Sequence, residues 1–156
     1  MKKTLTFILI SLLTLLISGC RDSSNEYVSK DSEKYIGYVA LDGNNIQLDD
    51  FEFIKQDDKE RIEELGLTES DMPNGYYIHN ESEEIQSFTI DEQTKFTFFD
   101  TGNLFVTEEE DKKYTTTNIE EFKHFLYGDS NMPIKTPFWV DVQDGKVISV
   151  EEEFVN

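Results

Sequence analysis

The chain falls into three regimes of hydrophobic and polar residues. A mainly apolar run, Leu5 to Ile17, is followed by a polar, serine-containing stretch, Arg21 to Lys34. From Tyr35 onward, apolar and polar residues alternate over the short distances typical of strands. These regimes predict a cleaved leader (1–19), a cysteine with a flexible tether (20–34) and a single folded domain (35–156).

The domain begins with a predicted β-hairpin. Tyr35 to Leu41 and Asn45 to Ile54 are rich in aromatic and β-branched residues, and they flank the turn sequence Asp42-Gly43. The second arm changes phase near Asp49-Asp50, because the apolar residues before and after this pair would lie on opposite faces of a continuous strand. We therefore predict a bulge or a sharp bend there. Later strands are predicted at Tyr76 to His79, Ile85 to Ile90 and Lys95 to Phe99.

Two short helices are predicted among the strands. Either Asp57 or Asp58 can cap the first, which carries Ile62 and Leu65 inward and ends at Gly66. The second has a capping-box spacing and one apolar face, and the charged segment before it is predicted to be a solvated loop. The capping box is formed by Thr117 and Glu120, and the charged loop is Glu108 to Lys113. The apolar face consists of Ile119, Phe122, Phe125 and Leu126, and the helix ends at Gly128.

A second hairpin, Phe138 to Val142 and Lys146 to Val155, ends the domain. A three-residue loop, Gln143-Asp144-Gly145, with Gly145 in the left-handed region, matches apolar partners across the hairpin better than a two-residue Asp144-Gly145 turn. The favoured pairs are Val142 with Lys146, Val140 with Ile148 and Phe138 with Val150. Together, the elements predict an α+β fold, mainly a curved, partly barrel-like antiparallel sheet with two short helices.

The leader carries the sequence features of lipoprotein processing. Lys2-Lys3 precedes an apolar run that is too short for a membrane-spanning helix. The run ends in Ile17-Ser18-Gly19-Cys20, where small residues admit a peptidase and the thiol of Cys20 is the nucleophile that takes a diacylglyceryl group. Two acyl chains at about 0.8 kcal/mol per methylene anchor a protein stably. Since Cys20 is the only cysteine, no disulfide is expected.

The charge of the chain excludes one class of partner. The formal net charge is −19, and removal of Lys2 and Lys3 with the leader makes it −21. Nucleic acid is not expected to bind, because no basic stripe is present to release its counterions. Repulsion from an anionic membrane decays over about 8 Å. A flexible tether of this length spans about 20 Å and holds the domain clear of the headgroups.

Catalytic and metal-binding motifs are not recognisable in the sequence. The two histidines, His79 and His124, have no motif around them, and no loop carries phosphate-binding spacing. Carboxylates are abundant, but Glu108 to Asp111 and Glu151 to Glu153 are typical of solvated runs. Calcium suits such groups better than hydrolysis does, although Asp42 to Asn45 lacks the EF-hand glycine position. We expect no cofactor and no metal.

Aromatic residues next to core positions form a candidate binding surface. If Phe138, Val140 and Val142 face the core, Trp139 and Asp141 lie on the opposite face of that strand. The adjacent pair Tyr76 and Tyr77 must likewise point to opposite faces, and Tyr77 is the candidate. Either a helix covers these rings, or they form an exposed platform for a peptide, glycan or protein.

Two segments carry a resemblance to a known family. Gly75 to Asn80 and Pro137 to Val147, followed by Glu151-Glu152 and Phe154, resemble an uncharacterised family of small Gram-positive lipoproteins. The resemblance covers most of residues 35–156 and implies location on the outer face of the cytoplasmic membrane, without implying an activity. We therefore predict a lipid-anchored, non-catalytic binding or accessory module. A small extracytoplasmic hydrolase using carboxylates and a calcium-binding surface domain are the alternatives.

Overall fold

The computed structural model describes residues 32–155, and its architecture is α+β, as predicted. It contains nine strands in two sheets, two α-helices and one 3₁₀ turn. The strands are β1 Glu33–Asp42, β2 Asn45–Asp50, β3 Glu52–Lys55, β4 Tyr76–His79, β5 Gln86–Thr89, β6 Lys95–Phe99, β7 Lys113–Thr116, β8 Phe138–Gln143 and β9 Lys146–Glu152. The helices are α1 Lys59–Glu64 and α2 Ile119–Tyr127, and the 3₁₀ turn is Glu69–Asp71.

The described range omits the predicted leader. The predicted processing site, Ile17 to Cys20, therefore lies outside the part of the chain that the structure describes. Strand β1 begins at Glu33, so the folded part starts two residues before the predicted boundary at Tyr35. Within residues 32–155, neither helix has the length and hydrophobicity needed to cross a membrane.

Seven strands form one curved sheet in the order β5-β2-β1-β8-β9-β6-β7. Most pairs are antiparallel, but β9 runs parallel to β6. One further bridge, between Thr89 and Lys146, joins β5 to the start of β9. This bridge brings the first strand in the order beside the fifth, so the sheet curls strongly without forming a closed barrel. The predicted curvature is confirmed.

The core lies between the inner face of this sheet and α2. Ring stacking holds the helix in place, since Phe122 lies 4.4 Å from Phe96 and Phe125 lies 4.0 Å from Phe98, measured between ring centroids. Phe122 also meets Phe138 edge-on at 5.7 Å. The remaining core residues are aliphatic: Val39, Ile46, Leu48, Ile90, Leu126, Val140, Val142, Val147 and Val150.

The predicted break in the second arm is confirmed, and it separates two sheets. Strand β2 ends at Asp50, and after Phe51 the chain pairs with β4 in a separate two-stranded sheet. The backbone N–H of Phe51 donates to Ile36 at 3.1 Å. Gly37 is required beside this crossing, because a Cβ there would lie 2.4 Å from the carbonyl oxygen of Asp49.

The predicted ends of the helices are partly corrected. Asp58 caps α1, and Gly66 follows it with a φ of +65°, as predicted. The predicted capping box of the second helix is wrong. The side chain of Asn118, not that of Thr117, accepts the N–H of Glu120 at 3.0 Å. The side chain of asparagine reaches the first turn from one position closer to the helix.

The sequence prediction missed strand β7, which lies between the charged loop and α2. The four residues Lys113–Thr116 pair with β6 and form the edge of the large sheet. Their signal is a short alternation in which Tyr114 packs at 5.6 Å on Phe98, while Thr115 faces outward. This alternation is short and lies directly before the helix pattern, so the sequence prediction did not assign it as a strand.

The predicted register of the last hairpin is wrong. Asp144 and Gly145 form a two-residue turn with φ values of +53° and +78°, and Gln143 pairs with Lys146. Two positive φ values define the turn whose twist matches that of the strands. Ile148 then has no partner in the register, and this bulge shifts the pairing by one residue. The observed pairs are Val142 with Val147, Val140 with Val150 and Phe138 with Glu152.

We expect Gly145→Val to destabilise the domain by at least about 1 kcal/mol, because a β-branched residue resists a positive φ. No atom lies within 4 Å of the position that a Cβ would take at Gly145, so the backbone alone determines the loss. Chemical denaturation measures it, with the exposed change Glu83→Ala as the control, expected within about 0.5 kcal/mol of wild type. Equal denaturation midpoints for the two variants would contradict the turn.

Candidate functional site

Strand β8 places Trp139 and Asp141 on the outer face of the large sheet. Phe138, Val140 and Val142 are buried on the inner face, where α2 packs. The helix therefore does not cover Trp139, which excludes the burial beneath α2 considered from the sequence. The indole is half-buried by other neighbours.

Polar contacts hold the indole of Trp139 in place. Its Nε1–H donates to the carboxylate of Glu153 at 2.6 Å, and that carboxylate also bonds the Nζ of Lys55 at 2.7 Å. The Nζ of Lys34 lies 4.9 Å from the centroid of the indole ring. Burial raises the pKa of Glu153, but Lys55 and Trp139 lower it by more, so the pKa lies below its usual range. The group therefore stays ionised at neutral pH.

Further rings lie near this point, where Lys55 of the small sheet reaches the Glu153 carboxylate that Trp139 also binds. We call the six residues Tyr38, Phe53, Tyr76, Phe99, Trp139 and Phe154 the aromatic surface. Phe53 and Tyr76 stack at 4.9 Å, and Phe99 lies 4.5 Å from Phe154, which is 47% exposed. Burial, and then the charge of Tyr76, raises the pKa of Tyr38.

A cleft of about 220 Å³ opens beside three rings of the aromatic surface. Phe53, Tyr76 and Phe154 supply its aromatic walls, and the ion pair of Lys55 and Glu153 lies at its rim. The strands β3 and β4 contribute from one side, and the segment after β9 contributes from the other. The cleft thus combines apolar area with an orienting pair of charges, which is the composition of a small binding site.

Three lysines lie over rings of this surface. Besides Lys34 on Trp139, the Nζ of Lys55 is 5.4 Å from Phe53, and the Nζ of Lys135 is 5.8 Å from Tyr38. A cation over an aromatic face is attracted by the ring quadrupole. In a chain with only 14 lysines and arginines against 33 acidic residues, this grouping makes the aromatic surface locally less acidic.

The structure brings together two of the three residues chosen from the sequence. Asp141 shares the face of Trp139 and accepts the hydroxyl of Ser149 at 2.8 Å. Tyr77 lies on the other face of β4, with its ring 6.4 Å from that of His79. Tyr76 takes the place on the aromatic surface that the sequence prediction assigned to Tyr77. Alternation separates the two tyrosines, but only the packing of the small sheet decides which one faces Trp139.

A larger groove, of about 640 Å³, lies between the β1–β2 turn and α2. Leu41 and Tyr127 belong to its lining, and the hydroxyl of Tyr127 accepts the N–H of Leu41 at 2.9 Å. Lys123 and His124 are exposed at its edge. The aromatic surface, in contrast, combines stacked rings with lysines that lie over them, so we take it as the candidate site.

The carboxylates and histidines have ordinary structural partners. Burial raises the pKa of Glu152, whose carboxylate accepts the N–H of Phe99 at 2.7 Å and the hydroxyl of Thr136 at 3.4 Å. Its hydrogen-bond partners are a backbone amide and a hydroxyl, not the second carboxylate that a hydrolase with paired acids would use. The Nε2 of His79 lies 3.4 Å from Glu81. Within residues 32–155, no group of three or more His, Cys, Asp or Glu side chains is arranged to hold a metal.

Asp100 is a buried carboxylate with three backbone partners, and its role is structural. It is 1% exposed, and it accepts the backbone N–H groups of Leu104, Phe105 and Val106 at 2.7 to 2.9 Å. Burial raises the pKa of Asp100, but the three N–H groups lower it by more, so the pKa lies below its usual value. The carboxylate organises the loop after β6.

We expect Asp100→Ala to destabilise the domain by about 3 kcal/mol, because three backbone N–H groups lose the buried carboxylate that accepts them. The depressed pKa predicts that the stabilisation is complete above about pH 3.9 and is lost as the pH falls through the lower folded-state value. Denaturation at several pH values measures both effects, with the exposed change Asp129→Ala as the control. An Asp100→Asn variant with unchanged pH dependence would contradict this assignment.

Comparison with known protein families, with curated proteins and with solved structures finds no match to this chain. The resemblance to the Gram-positive lipoprotein family therefore stays a prediction from the sequence. The residues themselves, and the geometry of the aromatic surface, are what support a functional proposal.

Proposed function

We propose that the protein is a lipid-anchored, non-catalytic binding or accessory module on the outer face of the cytoplasmic membrane. Its ligand surface is the aromatic surface, and its ligand is a protein, peptide or glycan of the cell surface. The observation that carries this proposal is the grouping of six rings, three lysines and a cleft on the sheet face that α2 leaves open.

Half-exposed rings are well suited to binding. They supply a large apolar contact area, and a ligand that excludes water from them gains most of its affinity from a few such residues. Trp139 and Tyr76 already have fixed neighbours, so little side-chain freedom is lost when a ligand binds. The ion pair of Lys55 and Glu153 can orient polar groups at the rim of the cleft.

The proposed anchor is consistent with this site. The tether enters the folded domain at Glu33, the first residue of β1, and Lys34 is next to the indole of Trp139. The aromatic surface therefore begins where the tether ends. The net charge of −21 for the mature chain supports the exclusion of nucleic acid as a ligand.

The anchoring part of the proposal is tested at Cys20. We expect Cys20→Ser to remain an unlipidated precursor, because no other residue of the chain has the thiol that takes the thioether. Metabolic labelling with a fatty-acid probe should label the wild type alone, and the variant should accumulate as the larger precursor that keeps its leader. Equal label in both proteins would show that the anchor is elsewhere.

The binding part is tested by the emission of Trp139, the only tryptophan in the chain. We expect a saturable change in its fluorescence when one cell-surface fraction is titrated: digested peptidoglycan, purified wall glycopolymer or released surface protein. Phe154→Ala should weaken that binding by tenfold or more, because it removes a wall of the cleft.

The matched control is Met132→Ala, which truncates a side chain that is 75% exposed and lies outside the aromatic surface. It should bind as the wild type does, and both variants should keep the wild-type denaturation midpoint within about 0.5 kcal/mol of stability. An emission that no fraction changes, or equal weakening by both variants, would overturn the assignment of the aromatic surface.

A further inference from the structure

The second edge of strand β4 is open in the described part of the chain. The small sheet contains β3 and β4 alone, so β4 pairs on one side with β3 and on the other side with no described strand. An open edge presents a row of backbone donors and acceptors to any extended chain that approaches it. The question is whether this edge has the other features of a peptide site.

The pairing register identifies which backbone groups point outward. The N–H of Gln56 donates to the carbonyl of Gly75 at 3.2 Å, which makes these two residues a hydrogen-bonded pair. Hydrogen-bonded and non-hydrogen-bonded pairs alternate along an antiparallel ladder. In β4, the backbone N–H and C=O groups of Tyr77 therefore point toward β3, while those of Tyr76 and Ile78 point away from β3. Two residues thus offer four groups in the spacing of a strand.

A cleft follows this edge. It measures about 230 Å³ and is lined by Tyr76, Tyr77 and Ile78 of the strand, and by Asp71, Pro73 and Asn74 before it. Tyr76 and Tyr77 point to opposite faces of the small sheet, so a cleft that both of them line lies along the edge rather than on one face. No residue of β3 belongs to this lining, which places the cleft on the open side.

The charges near this edge favour a basic occupant. Asp71 lies in the cleft, Glu81 follows the strand within 3.4 Å of His79, and Glu83 and Glu84 come next. Strand β4 itself carries no lysine and no proline, the residues with which exposed edges are commonly protected. The opposite edge of the small sheet, in contrast, carries Lys55.

We propose that the open edge of β4 binds a basic peptide segment in extended conformation, which adds to the small sheet as a third strand. Outward groups of Tyr76 and Ile78 form the main-chain hydrogen bonds, and lysine or arginine side chains of the peptide meet the neighbouring carboxylates. This site goes beyond the proposed function, because it uses the edge of β4 and requires no ligand in the cleft beside Phe154.

The experiment uses the mature, lipidated protein in nonionic detergent and three capped synthetic hexapeptides. The first alternates valine and lysine, the second has the same sequence with a methyl group on every backbone nitrogen, and the third alternates valine and glutamate. We expect the first peptide to bind and to slow hydrogen exchange at the amides of Tyr76 and Ile78 by tenfold or more, as followed by NMR. The other two should bind at least tenfold more weakly, one for lack of backbone donors and the other for its charge.

Variants separate the edge from general attraction to an acidic protein. Ile78→Pro removes one outward N–H and leaves the bonds of Tyr77 to β3, so binding should fall by tenfold or more. If that variant is unfolded, Glu81→Lys/Glu83→Lys provides the test, with Glu108→Lys/Glu109→Lys as a control of equal charge in a distant loop. The first pair should weaken binding by tenfold, and the second by less than threefold.

Three outcomes would overturn the inference. These are unchanged exchange at Tyr76 and Ile78, equal binding of the N-methylated peptide, and equal weakening by the two lysine pairs. A positive result is independent of the emission of Trp139 and of Phe154→Ala. Failure at the edge therefore leaves the proposal for the aromatic surface standing, and failure at the aromatic surface leaves this one standing.

Discussion

The packing of α2 on the large sheet is the interaction on which the rest of the structure depends. Phe122 and Phe125 of the helix stack on Phe96 and Phe98 at 4.4 and 4.0 Å, and Phe122 meets Phe138 edge-on. With one cysteine in the chain, no disulfide can contribute, so burial of apolar area provides the stability. This packing decides which face of each strand is covered, and it leaves the face of Trp139 open.

The change of sheets at Phe51 provides the second constraint. If β2 had continued past Asp50, its apolar residues would have faced water on one side. The chain instead turns inward at Phe51, which is 8% exposed, and β3 then builds a small sheet with β4. That small sheet contributes to both candidate sites, since Phe53 and Tyr76 belong to the aromatic surface and the open edge of β4 borders the cleft lined by Asp71 and Tyr77.

Electrostatics gives the two sites different characters. The aromatic surface gathers three lysines over its rings, although basic residues are scarce in the chain. The edge of β4 is flanked by carboxylates and lacks a cation of its own. The two proposed sites therefore suit ligands of different charge, because carboxylates attract a basic segment and lysines repel it.

Local sequence determined most of the elements, because caps, turns and apolar spacing act over a few residues. The two helices, the break near Asp50, Gly66 as a helix end and the positive φ of Gly145 all follow from such patterns. Tertiary structure decided the bulge at Ile148, the strand β7, and the choice of Tyr76 over Tyr77 for the aromatic surface. Alternation along a strand is symmetric between its two faces, so only packing against distant residues decides which face is buried and which edge stays open.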